Sequence, residues 1–222
     1  MKKALIVGST GLIGIHLLHY LCNDHRYDRI SLMLRTKMTL PDFLHKKVEQ
    51  HIVDFNNLEN YSGLLNSDDI FVCVGTTINK VKGDKAAFRK VDFDIPVNIA
   101  RLAFQNNVKG FFVISSLGAD AASGNFYLKT KGEMEHAVKQ YKFERLSFLR
   151  PSLLLGPRNE KRPGENIAKL FMKPLSFLFA GPLRKYKPID ADLVAKTMIK
   201  IANSQHPKLI YEGIDIFSIP SA

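Results

Sequence analysis

The sequence predicts an α/β fold built as a doubly wound parallel sheet. Three observations carry this. Short apolar runs recur along the 222 residues, each followed by a segment with helical apolar spacing, the order expected of parallel strands joined by crossover helices. The runs are apolar throughout rather than alternating, as strands covered on both faces are. The first run ends in three glycines spaced G-x-x-G-x-x-G, Gly8, Gly11 and Gly14, where a strand must turn into a helix. A hydrophobic content of 45% is enough to pack one core, and the length fits a single domain, residues 1–222.

The elements follow in order. Ala4–Val7 is the first strand and Gly11–Asn23 the first helix, with Leu12, Ile15, Leu18, Leu21 and Cys22 at helical spacing. Strands are expected at Ile30–Leu34, Val48–Val53 and Ile70–Val74, followed by a loop from Ile78 to Asp84 and a long helix from Lys85 to Gln105. A fifth strand, Gly110–Ile114, leads through a loop of small residues, Leu117 to Asn125, into a helix running from Tyr127 to about Tyr141. A sixth strand spans Arg145–Leu149. Beyond Pro151 the pattern loosens, and residues 152–187 read as a small C-terminal lid over a substrate, not as a second domain. Asp190 is placed to cap a helix reaching Asn203, and strands are expected at Lys208–Tyr211 and Ile214–Ser218.

The strand ends carry the chemistry. Gly8 allows a tight turn, Gly11 lets backbone approach a pyrophosphate, and Gly14 lets helix pack on strand. The helix N-terminus behind them offers free N–H groups to phosphate. Gly8, Ser9, Thr10, Gly11, Leu12 and Ile13 are therefore the expected binding turn of a dinucleotide in a Rossmann fold. At the end of the second strand, an acidic residue would hold the ribose 2′-hydroxyl of NAD, whereas a basic one accommodates the 2′-phosphate of NADP. The chain reads Leu34-Arg35-Thr36-Lys37 there, with no carboxylate. This favours NADP(H) over NAD, the alternatives being a surface arginine or one stacked on adenine. Asp54, before Phe55, is placed either to accept from an adenine amino group or to cap the next turn. Gly75, Thr76 and Thr77 end the fourth strand, where such folds hold cofactors.

Tyr127 and Lys131 are four residues apart and share a helix face. An ammonium nearby lowers a phenol's pKa from its usual value of about 10 toward usefulness as an acid or base. The same lysine can hold ribose hydroxyls, and Ser116, or its neighbour Ser115, can hold a substrate oxygen.

Composition narrows the field. The formal charge is +11, and between Arg158 and Lys187 eight basic residues face two acidic ones. Such an excess suits a phosphorylated cofactor or an anionic substrate, and solvated surface accounts for most of it. No nucleic-acid recognition motif is visible. No apolar run reaches 18 residues, so no transmembrane helix is expected. Prolines at 174 and 182 interrupt the one stretch suited to peripheral membrane contact. Met1-Lys2-Lys3 leads into a strand without a cleavage site, so no signal peptide is expected. Cys22 and Cys73 are too few for a disulfide framework, which suggests a reducing, cytoplasmic setting. The seven histidines show no metal-ligand spacing, and no metal is expected.

Taken together, Gly8-Ser9-Thr10-Gly11-Leu12-Ile13-Gly14, Cys73 to Thr77, Ser115 to Asp120, Tyr127 to Glu133, Leu149-Arg150-Pro151 and Arg162 to Glu165 resemble the Tat-interacting protein oxidoreductases, an atypical branch of the short-chain dehydrogenase/reductase superfamily. The likeness covers nearly the whole chain. It implies an NADP-binding fold and catalytic Ser116, Tyr127 and Lys131. It also implies cofactor contacts from Arg35, Asp54, Gly75, Thr76 and the Pro151-Ser152-Leu153 segment. The expected activity is an NADP-dependent oxidoreductase acting on a carbonyl or alcohol. The alternative is an NADP(H)-binding, redox-sensing regulator with a protein partner, and a homodimer is compatible with either. The chain lacks the large C-terminal substrate domain of the nucleotide-sugar epimerases, which argues against a sugar nucleotide as substrate.

Overall fold

The computed structural model describes residues 1–40, 46–156 and 186–218. Residues 157–185, the core of the expected lid with all its basic residues but Lys187, lie outside the described part.

Seven parallel strands form one sheet in the order β3-β2-β1-β4-β5-β6-β9: β1 (Lys2–Val7), β2 (Tyr27–Leu34), β3 (Val48–Ile52), β4 (Asp69–Val72), β5 (Gly110–Ile114), β6 (Arg145–Arg150) and β9 (Ile210–Glu212). A separate pair joins β7 (Leu154–Leu155) to β8 (Ile189–Asp190). The order runs outward from β1 in one direction and from β4 in the other. The winding therefore reverses between those two strands, and a crevice opens beyond their C-terminal ends.

The helices divide between the faces because successive strand residues point opposite ways. Ala4 and Ile6 of β1 face a core with Leu17, Leu18 and Leu21 of α1 (Leu12–Asn23) and with Val194, Ala195 and Met198 of α5 (Ala191–Ala202). Leu5 and Val7 face the other core, with Ile99, Leu102 and Ala103 of α3 (Ile95–Gln105) and Met134 and Val138 of α4 (Phe126–Lys139).

The expected long helix from Lys85 to Gln105 is present but not uniform. It begins as α2 (Lys85–Arg89), capped by Asp84, whose carboxylate accepts from the N–H groups of Ala86 and Ala87. It then loosens into a π turn, Lys90–Asp94, before continuing as α3. Pro96 has no N–H for the carbonyl of Asp92, four residues earlier, so the regular ladder cannot pass through this point. A second difference lies near the C-terminal end. Ile214–Ser218 forms a short helix, α6, and not a strand. Gly213, at φ +54°, turns the chain after β9, and the carbonyl of Ile216 accepts from the Thr197 hydroxyl of α5. A 3-10 helix at Leu58–Leu65 and the β7–β8 pair are further features that the apolar pattern leaves unmarked.

At the N-terminal edge of the sheet, away from the crevice, Asp69 is fully buried. It accepts from Tyr27 at 2.6 Å and pairs with Lys2 at 3.1 Å and Arg145 at 2.9 Å. These residues open β1, β2, β4 and β6, so one carboxylate ties four strands together at one end.

Candidate functional site

Every residue singled out above for chemistry follows the C-terminal end of a strand or stands on α4. Parallel strands put all those ends on one edge. The glycine turn is built as its spacing predicts. Gly8 has φ +94°, and a Cβ there would lie 2.8 Å from the Cys73–Val74 peptide at the end of β4. Only glycine serves at such a point. A Cβ on Gly14 would collide with the Gly8 carbonyl, so the first turn of α1 rests directly on the end of β1. Gly11 is the N-cap, no side chain caps the helix, and its first turn carries no acidic residue. Its N–H groups therefore stay free for an anion.

Side chains in this turn face inward. Ser9 is fully buried with its hydroxyl 3.8 Å from the Met38 sulfur, and Ile13 is buried in the core. Leu12 is half-buried against that core, while Thr10 is exposed. Ser9, Leu12 and Ile13 thus offer backbone, not side chain, to a ligand.

Arg35 follows β2, is exposed, and makes no ion pair among the described residues. Asp54 is also exposed. Its carboxylate accepts from the Asn56 N–H at 2.9 Å, from the Asn56 amide at 2.8 Å and from the Asn57 amide at 2.6 Å. The Asn56 N–H and both side-chain amides hold this carboxyl below the usual carboxylate range. Asp54 therefore closes the turn of residues 54–57, while Asn57, not Asp54, stands at the N-cap of the 3-10 helix that follows. Phe55 packs partly into the core behind it.

The deepest part of the site is a buried ion pair. Lys131 Nζ lies 2.8 Å from Asp92 Oδ1, and the other oxygen of Asp92 accepts from the Thr76 N–H at 2.8 Å. Gly75 stands over the pair: a Cβ there would be 3.4 Å from Asp92 Oδ1 and 3.9 Å from Lys131 Nζ. Burial alone would lower the pKa of Lys131. The Asp92 charge, aided by Tyr127 and Glu135, outweighs this and holds it above the ordinary lysine value. Asp92 is the functional residue that sequence spacing missed. Its one signal is the proline four residues on, which breaks the helix register where the carboxylate turns inward.

Tyr127 sits at the start of α4, where Asn125 caps the helix by accepting from Leu128 N–H at 3.2 Å. Its ring stands edge-on to Phe88, and it remains 38% exposed. Ser115 and Ser116 follow β5. Ser116 is half-buried, and its hydroxyl reaches only the Leu117 carbonyl, at 3.4 Å. Ser115 is 4% exposed, and its hydroxyl has no hydrogen-bond partner among the described residues. Pro151 accepts from the Leu117 N–H at 3.0 Å, Ser152 donates to the Lys187 carbonyl, and Leu153 is exposed.

These features fit a dinucleotide. An uncapped, acid-free helix start follows a glycine turn, a Cβ at Gly75 would come into contact with the Asp92–Lys131 pair, and the buried Ser115 hydroxyl after β5 has no hydrogen-bond partner among the described residues. Among the described residues no group of three or more His, Cys, Asp or Glu side chains could hold a metal ion, and no helix is long and apolar enough to cross a membrane.

Known proteins agree with this geometry. A family described as NAD(P)H-binding matches residues 8–170. Protein HTATIP2 of Rattus norvegicus is 38% identical over 175 residues, spanning 78% of this chain and 72% of that protein. Protein fmp52, mitochondrial, of Aspergillus niger is 31% identical over 203 residues, spanning 90% and 86%. Among solved structures, a UDP-glucose 4-epimerase of Thermotoga maritima with UDP-glucose superposes with a TM-score of 0.70 at 14% identity, over 94% of this chain and 75% of that one. MoeE5 in complex with UDP-glucose and NAD gives 0.70 at 17% identity, over 94% and 74%. At such identities the superpositions speak for the fold alone. With its glycine turn, its parallel sheet and these relatives, the chain belongs to the NAD(P)H-binding family of HTATIP2 and the FMP52 proteins.

Proposed function

We propose that the protein is an NADP(H)-dependent oxidoreductase that interconverts a carbonyl and an alcohol. The observation that carries this reading is the assembly at one sheet edge of an uncapped phosphate-binding turn and a phenol one helical turn from a buried, charged lysine. Nicotinamide, when bound, supplies or accepts the hydride. The chain's own residues handle the proton. In the reducing direction the Tyr127 phenol gives its proton to the substrate oxygen, and solvent restores it. The Lys131 ammonium stabilises the phenolate left behind and offers further N–H groups to ribose. Asp92 keeps Lys131 protonated at depth. Ser116, or the unpaired Ser115 beside it, holds the substrate oxygen against the phenol. The turn from Gly8 to Ile13 receives the pyrophosphate through the backbone N–H groups that it leaves free, that of Gly11 being donated to the Gly8 carbonyl, and Gly75, Thr76 and Pro151 to Leu153 border the nicotinamide half.

Preference for NADP(H) is supported by Arg35, exposed and making no ion pair among the described residues, where the dinucleotide fold needs a carboxylate for NAD. Phe55 backs the adenine side, with Asp54 fixing the turn. A small carbonyl or alcohol, anionic or neutral, is the substrate class we favour. A reducing compartment is proposed from the free thiols Cys22 and Cys73. The cytoplasm meets that condition, and the mitochondrial names of the fungal relatives make cell fractionation the deciding measurement.

The test is direct. Purified protein is mixed with NADPH and a panel of aldehydes and ketones, and cofactor absorbance is followed. Oxidation that requires a carbonyl and is lost in Tyr127→Phe supports the reading. Tight NADPH binding with no oxidation by any carbonyl replaces it with a cofactor-binding regulator.

A further inference from the structure

The catalytic set proposed above stands on two separate elements. Tyr127 and Lys131 are on α4, whereas Ser116 is on the loop that leaves β5. Backbone contacts hold that loop at two points. Leu117 N–H donates to the Pro151 carbonyl at 3.0 Å, and Asp120 N–H donates to the Leu128 carbonyl at 3.2 Å. Between these anchors Gly118 adopts φ +76°, and its N–H donates to Glu212 Oε1 at 2.9 Å. Glu212 belongs to β9, the last strand of the sheet. Its other carboxylate oxygen lies 3.9 Å from Arg150 of β6. The Arg150 guanidinium in turn grips Glu135 through two parallel bonds, Nε to Oε1 at 2.9 Å and Nη2 to Oε2 at 2.6 Å. Glu135 is on α4, one turn beyond Lys131. The path closes on itself, from the catalytic helix through two carboxylates and a guanidinium to the serine loop.

We infer that Glu135, Arg150 and Glu212 are positioning residues that fix the distance between Ser116 and Tyr127, so that β9 is required for turnover. The inference rests on the oxidoreductase reading. Three features favour this role over a general contribution to stability. The link is stiff, because the side chains of Arg150 and Glu135 are 16% and 8% exposed and their contact is bidentate. A lysine could not replace the guanidinium, since it lacks the planar fork. Glu212 meets the loop two residues after Ser116, at a left-handed turn that aims one N–H at one carboxylate. Misplacement of a reacting group by about 1 Å costs on the order of a hundredfold in rate, and the Glu212 carboxylate holds the left-handed Gly118 between the loop's two backbone anchors.

The test uses the full chain with NADPH and whichever carbonyl it turns over. Glu212→Ala should lower kcat by about tenfold or more while the dissociation constant for NADPH stays at the wild-type value. Amide exchange over Leu117 to Ala121 should quicken. Glu212→Gln keeps a carbonyl acceptor for Gly118 and should recover most of kcat and the slow exchange. Arg150→Lys should behave like Glu212→Ala. Wild-type kcat in Glu212→Ala overturns the inference, as does a Glu212→Gln variant as impaired as Glu212→Ala. Loss of NADPH binding in step with kcat also overturns it, by showing a structural role only. If no carbonyl makes the wild type oxidise NADPH, the oxidoreductase reading falls and takes this inference with it. If the wild type is active and Glu212→Ala is unaffected, the inference alone fails.

Discussion

Lys131 Nζ and Asp92 Oδ1 are 2.8 Å apart, with side chains 4% and 1% exposed. A lysine expected to act alone on a nearby phenol is therefore half of a buried pair. The pair changes the electrostatics at Tyr127, because the ammonium arrives with its counter-charge. Two buried charges are costly to separate, so removal of either is strongly felt.

In Asp92→Asn the ammonium stays buried without its partner. Native Lys131 has a pKa above its unfolded value, so the stabilisation it brings is complete below the ordinary lysine pKa and fades as pH rises through the native one. In the variant burial, which lowers the pKa, is opposed only by Tyr127 and Glu135. NADPH affinity should then begin to weaken at a lower pH in the variant than in the wild type. Stability should fall by about 3 kcal/mol. Fluorescence titration and denaturant melts check both.

Tyr127→Phe removes the proton donor without touching the glycine turn. Turnover should drop by about a thousandfold, and NADPH affinity should hold. The ring keeps its edge-on contact with Phe88, so no loss of stability is expected.

Arg35→Ala tests cofactor choice. A guanidinium–phosphate contact contributes about 1.5–3 kcal/mol, so NADPH should bind about 10- to 100-fold more weakly. NADH affinity should not change, because it has no 2′-phosphate to lose. Equal weakening of both, measured by calorimetry, would assign Arg35 to adenine stacking.

Asp69→Ala strands Lys2 and Arg145 beside a cavity at the far edge of the sheet. A loss of about 3–5 kcal/mol is expected. Tyr27→Phe deletes one bond to the same carboxylate and should cost about 1.5–3 kcal/mol. Burial, then the Asp69 charge, pushes the Tyr27 phenol up, so it stays protonated, donating to Asp69 while its oxygen accepts from the Asn203 amide at 3.2 Å. Cofactor affinity of folded Tyr27→Phe should match the wild type.

Burial pushes the Cys73 thiol up to about 12, and burial outweighs Lys47 in pushing Cys22 up to about 11. Thiolate is the reactive form. Both thiols should react far more slowly with a disulfide reagent in the native protein than in denaturant, and native reactivity should rise only at strongly alkaline pH.

Much of this protein is written locally. Ala4 to Val7 is apolar on both faces, so it lies inside a covered parallel sheet. Gly8 and Gly14 leave only one way to join that strand to its helix. Tyr127 and Lys131 share a face because helices repeat every 3.6 residues. These are properties of neighbours along the chain, and neighbours can be read in order. Asp92, Glu212 and Asp69 could not be found this way, since each owes its role to partners far off in sequence. Asp92 meets Lys131 only after a π turn rotates it inward, and Glu212 meets Gly118 only once β9 has joined the edge beside β6. Ile214 to Ser218 was misread for the same reason, because an alternating apolar run is decided by what it packs upon. The sequence by itself determined the strand–turn–helix units and the chemical groups they carry. The tertiary structure alone decided which charges are buried together, because burial and pairing depend on distances that no local spacing contains.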